Sequence, residues 1–143
     1  LNICGRIFFL LPHNIFSNML DLELFYSKEN VIENFSTMGP DGRSIYVLSS
    51  LLLDTVYPIL YLSLFLGAYF KIFRSSKAIL LVPITAFSFD ILENLQITRL
   101  NFNFPNINET HVYLSSMTTS LKWIAIAITV SVLMYGIIKR RKK

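Results

Sequence analysis

Three apolar runs, at residues 45–70, 78–97 and 119–138, leave this chain few ways to fold. At a rise of about 1.5 Å per residue each run reaches or exceeds a hydrocarbon core about 30 Å thick, the last only just. A backbone in lipid cannot leave its N–H and C=O groups unpaired, so each run is expected to be a membrane-spanning helix. A barrel would need apolar and polar residues to alternate. The stretch IAIAITVSVLM within the third run hints at that pattern, but the other two runs do not alternate. Composition points the same way. Hydrophobic residues make up 53% of the 143 and charged residues 15%, against about 25% charged in soluble domains. Such a chain cannot cover a water-facing surface, and its partner is the lipid bilayer.

The net charge is +4, but its placement carries more information than its total. Lys71, Arg74 and Lys77 sit between the first two runs, and residues 139–143 are all basic. Charge that flanks apolar runs, with no soluble domain to present it, argues against a nucleic-acid partner. It fits the excess of Lys and Arg on cytoplasmic loops. Two helices separate the two basic groups, so both can face the cytoplasm at once. The C-terminus is therefore expected inside. Residues 1–16 open with an apolar piece too short to span, and are expected to be the end of a first membrane helix whose beginning is missing. The expected fold is all-α: one domain, 1–143, formed by a bundle of four transmembrane helices.

Between the first apolar piece and residue 45 the pattern changes. Ser27 is suited to cap a helix and Glu29 to sit in its first turn. Val31, Ile32, Phe35 and Met38 then recur at helical spacing. The reading is an amphipathic helix over about 27–38, on the outer side, lying on the membrane or capping the bundle. Gly39 is expected to end it and Pro40-Asp41-Gly42 to form a turn. Residues 98–118 should form an outer loop, loop-like and Asn-rich over 101–112. Cys4 is the single cysteine, so no intrachain disulfide exists, and with His13 and His111 it makes no metal-ligand pattern. No metal site and no cofactor is expected.

Ionisable side chains inside membrane helices cost about 2.5–3.5 kcal/mol each on insertion scales. This chain carries Asp54, Asp90, Glu93 and Lys122 within its runs. Counted from the outer ends, Asp54 and Asp90 each lie roughly 13 Å deep. Glu93 lies about one turn nearer the surface, and Lys122 near the outer end of the last run. Asp90, Glu93 and Asn94 share a helix face, and so do Asp54, Tyr57 and Tyr61. The first of these faces cannot look at lipid and should point into the bundle. Pro58 cannot donate to the carbonyl of residue 54, which leaves that group free. Thr118, Lys122, Ala125, Thr129 and Gly136 form a face of mostly small residues, which permits close helix approach and would bring Lys122 to the carboxylates. Three carboxylates facing one ammonium need more positive charge, from Arg43 or Arg99 at the rim, or must keep a proton. The candidate ligand-binding cluster is thus Asp54, Tyr57, Asp90, Glu93, Asn94, Lys122 and Arg43.

Several motifs stand in a fixed order: Tyr26-Ser27-Lys28-Glu29; Gly39-Pro40-Asp41-Gly42-Arg43 with Tyr46; Asp54 with Pro58 and Tyr61; Phe89-Asp90-Ile91-Leu92-Glu93-Asn94; and Thr119 with Lys122-Trp123. Over about residues 20–125 the set resembles a family of uncharacterised, mainly bacterial, four-helix integral membrane proteins. The resemblance implies four helices, a bacterial inner (plasma) membrane and a role for these charged residues, and it brings no activity with it. Two Asn-x-Ser/Thr triplets, at Asn34 and Asn108, fall on the expected outside and matter only in a eukaryotic secretory setting.

The expected function is to hold a lipid or small ligand at the buried Asp/Glu/Lys cluster. Two alternatives use the same residues. One is an isomerase-like membrane enzyme that transfers protons through the carboxylates. The other is a structural or assembly subunit in which the charges only pair and fix helix register. A transporter would require a homo-oligomer, since no inverted repeat is visible.

Overall fold

A computed structural model describes residues 18–73 and 77–141. These are helical, with no strand among them. A 3-10 turn, Leu20–Leu22, precedes helix α1, Lys28–Ile72. A second 3-10 turn, Lys77–Leu80, leads into α2, Leu81–Phe102, and α3 is Glu109–Arg141. All three helices are long and apolar enough to cross a membrane. The partial first helix expected at 1–16 lies outside the described residues, as do Cys4, His13 and Arg74.

Ser27 caps α1 as its sequence suggests. Asn30 N–H donates to Ser27 Oγ at 3.3 Å, and Ser27 N–H donates back to Asn30 Oδ1 at 2.9 Å. The amphipathic helix then runs to Gly39, where the backbone breaks at φ 69°, ψ 177°. Here the structure departs from expectation. Pro40-Asp41-Gly42 is not a turn but the first turn of the spanning helix, because proline at the first helical position and an acidic residue beside it both favour helix starts. One glycine makes the whole corner. Its φ/ψ region is essentially closed to other residues, and nothing lies within 4 Å of where a Cβ would stand. Gly39→Ala is therefore expected to destabilise the fold by about 1–3 kcal/mol through backbone strain alone. The midpoint of denaturation in micelles checks it, and an unchanged midpoint would rule out this account of the corner.

The corner folds residues 28–38 over one end of the bundle, so of the two placements expected the helix adopts the cap. Val31, Phe35 and Met38 are buried with Tyr46 of α1, Ile97 and Leu100 of α2, Val112 of α3 and Ile107 of the intervening loop. This is the apolar core, and it sits at the capped end. Along the spans the usual order inverts. Large apolar side chains point outward (Leu64 is 75% exposed), while the buried positions include Ser49, Ser50, Asp90, Glu93, Asn94, Ser115, Thr119, Lys122 and Thr129. An apolar exterior around a polar interior is stable only when lipid is the solvent. At the opposite end Arg140 donates to the carbonyl of Lys71 at 2.8 Å, which ties the end of α3 to the end of α1. Gly136 lets α3 approach closely there, since a Cβ would collide with the Phe73 ring.

The loop between α2 and α3 is shorter than 98–118. It covers about residues 103–108, because Asn108 starts a new helix: its side chain accepts from Thr110 N–H at 2.8 Å and its carbonyl from Val112 N–H at 3.2 Å. The polar residues that made 109–118 look like a loop are one buried face of α3, with Ser115, Ser116 and Thr118 all inside.

Candidate functional site

The earlier start of α3 moves Lys122 inward. It stands about 20 Å along its helix from Glu109, not near an outer end. Asp54 lies about 21 Å from Pro40 and Asp90 about 18 Å from Phe102, so the three side chains come to matching heights. Lys122 pairs with Glu93, and both side chains are almost wholly enclosed, at 7% and 0% exposure. This is the one ion pair among the described residues.

Pro58 explains the next contact. It has no N–H, so the Asp54 carbonyl lacks its normal helical donor. Asn94 Nδ2 fills the vacancy by donating to that carbonyl across the α1–α2 interface. One helix thus leaves an acceptor open and its neighbour closes it. On the same face Tyr61 donates its hydroxyl to Asp90 Oδ2 at 2.9 Å. Asp54 Oδ2 is buried with no hydrogen-bond partner.

The segment before α1 straps this region from the capped end. Tyr46 donates to Asp21 Oδ1 at 2.8 Å and accepts from Leu20 N–H at 3.0 Å. Lys122 Nζ and Trp123 Nε1 both reach the Asp21 carbonyl, at 3.4 and 3.3 Å. Tyr26 N–H donates to Ser116 Oγ at 2.9 Å, and its hydroxyl shares a 2.7 Å hydrogen bond with Ser115 Oγ. Burial pushes the Tyr26 phenol up to about 12, so it serves as a neutral hydrogen-bonding group at physiological pH.

Beneath the strap lies a cavity of about 440 Å³ bounded by all three helices. Asp21, Asp54, Asp90, Asn94 and Lys122 line it together with Tyr57, Tyr61 and Trp123, and Phe65, Ile126 and Val130 continue it toward the basic end. The volume falls in the range typical of small-molecule sites, about 300–1,000 Å³.

Of the seven residues expected to form the cluster, Asp54, Tyr57, Asp90, Asn94 and Lys122 meet on this cavity. Glu93 stands behind it as the partner of Lys122. Arg43 is not brought to the cluster. It donates to the Phe35 carbonyl at 3.0 Å and stacks over Phe104 at 4.4 Å, holding the amphipathic helix against the loop. Arg99 is exposed beside Gln96 and His111 in a separate shallow groove. Asp21 was missed: it precedes the spans in a stretch with no helical period, so no facing argument reached it. Among the described residues no group of three or more His, Cys, Asp or Glu side chains is placed to hold a metal ion. No protein-family model, curated protein or solved structure matches this chain.

Proposed function

We propose that this integral membrane protein is a binding module whose bundle holds a lipid or small ligand at the buried Asp/Glu/Lys cluster. The observation that carries the reading is that Asp54 of α1, Asp90 of α2 and Lys122 of α3 line one cavity of ligand size. A register device would need only the Lys122–Glu93 pair. It gives no reason for Asp21, Asp54 and Asp90 to face open space without an ion-pair partner among the described residues. The basic end faces the cytoplasm of a bacterial inner membrane, and the strapped cavity faces the outer half of the bilayer.

Filling the cavity tests this. Val130→Phe places a larger ring on its apolar wall while leaving the charged residues alone. Protein purified in mild detergent is extracted and its bound small molecules are measured by mass spectrometry. The wild-type protein is expected to carry one class of molecule in near-stoichiometric amount, and Val130→Phe to lose it while keeping its helical circular dichroism. Identical extracts from both would refute the proposal.

A further inference from the structure

The walls of the cavity specify the chemistry of its occupant. Its charged lining is three carboxylates, Asp21, Asp54 and Asp90, and one ammonium, that of Lys122, which is already paired with Glu93. An ionised carboxylate in a low-dielectric interior is costly without a counter-charge. The acids are not grouped to hold a metal ion. They are spread around a space large enough for an organic molecule.

The aromatic side chains are an independent observation. Tyr57 and Tyr61 pack edge to face at 5.6 Å, and both line the cavity with Trp123. Aromatic faces around a site attract organic ammonium groups through the ring quadrupole, by about 0.5–2 kcal/mol per contact depending on desolvation. Carboxylates with aromatic rings are a lining suited to an organic cation, and an anion would meet three acids there. The third observation is direction. The acids gather under the strap, whereas Phe65, Ile126 and Val130 extend the cavity about 12–16 Å farther along the helices toward the basic end.

Resting on the binding function proposed above, we infer that the cavity takes an amphiphilic organic ammonium. Its head lies among Asp54, Asp90, Tyr57 and Trp123, and its apolar chain runs along Phe65 and Val130. Asp21, held by Tyr46, closes the head-group end.

Trp123 is the single tryptophan of the chain, so its emission reports this cavity. The protein is placed in nanodiscs of zwitterionic lipid and titrated near neutral pH with dodecylamine, dodecanol and dodecanoate, which differ only at the head. Dodecylamine is expected to reach half-saturation at a concentration about tenfold lower than dodecanol, a difference of about 1.4 kcal/mol, with dodecanoate weakest. The double variant Asp54→Asn/Asp90→Asn should erase that preference. Should the double variant not fold, the wild-type ranking of the three heads decides alone. If dodecanol or dodecanoate equals dodecylamine in the wild type and the response disappears in Val130→Phe, the binding function stands and the ammonium assignment is overturned. If none of the three changes the emission beyond its level in Val130→Phe, both fall.

Discussion

Lys122→Ala is expected to cost the fold about 3–5 kcal/mol, the largest single effect foreseen in this chain. Glu93 is fully buried and its counter-ion is Lys122. Removing the ammonium strands a carboxylate where neither water nor another cation of the described residues reaches it. The loss would appear as a shifted midpoint in denaturant titration of the micellar protein. The double variant Lys122→Met/Glu93→Leu separates the two meanings of that loss. It removes both charges and keeps apolar volume, and buried pairs replaced in this way often cost nothing. Most of the stability is therefore expected to return. A double variant as damaged as the single one would show that the pair fixes helix register. A single variant costing under about 1 kcal/mol would mean that Glu93 is held neutral by its surroundings.

If stability returns without the pair, stability is not what keeps a lysine at that depth. Lys122 also reaches the Asp21 carbonyl and lines the cavity. Its second task is to hold the strap over the site. This joins the energetics of the ion pair to the proposed binding function, since the residue that pairs with Glu93 also reaches the segment bearing Asp21.

Much of this arrangement could be read from residue order alone, for a definite reason. Lipid forbids unpaired backbone groups and penalises outward charge, so apolar run length gives the spans, and the spacing of Asp90, Glu93 and Asn94 gives the inward face. The small-residue face of α3 was equally legible, with Thr118, Lys122, Thr129 and Gly136 all buried. What stayed hidden depended on contacts without a period. Arg43 is adjacent to its span and rightly sought a partner, but it finds the Phe35 carbonyl and the Phe104 ring first. Asp21 reaches the cavity only because Gly39 folds the amphipathic helix back and Tyr46 captures the strap. The start of α3 was misplaced because Ser115, Ser116 and Thr118 read as loop residues in water and as a packed face in lipid. The same polarity that obscured the boundary supplies the hydrogen bonds to Tyr26.

The second large effect should come from Asn94. Asn94→Leu is expected to destabilise the protein by about 1–3 kcal/mol, because the Asp54 carbonyl then loses the donor that stands in for the N–H Pro58 lacks. Pro58→Ala should suppress that loss. Alanine restores the missing N–H, and the helix then satisfies its own carbonyl, so Asn94 becomes dispensable. The four proteins of this cycle make the claim quantitative. The cost of Asn94→Leu measured in the Pro58→Ala background should fall well below its cost in the wild type, giving a coupling of about 1 kcal/mol or more. Equal costs in both backgrounds would mean that Asn94 acts through some other contact. The cycle also bears on the site itself. If Pro58→Ala keeps or raises stability, the proline is present for what it does to the cavity wall: it opens the α1 backbone beside Asp54, draws Asn94 to it, and fixes the interface on which Tyr61 and Asp90 meet.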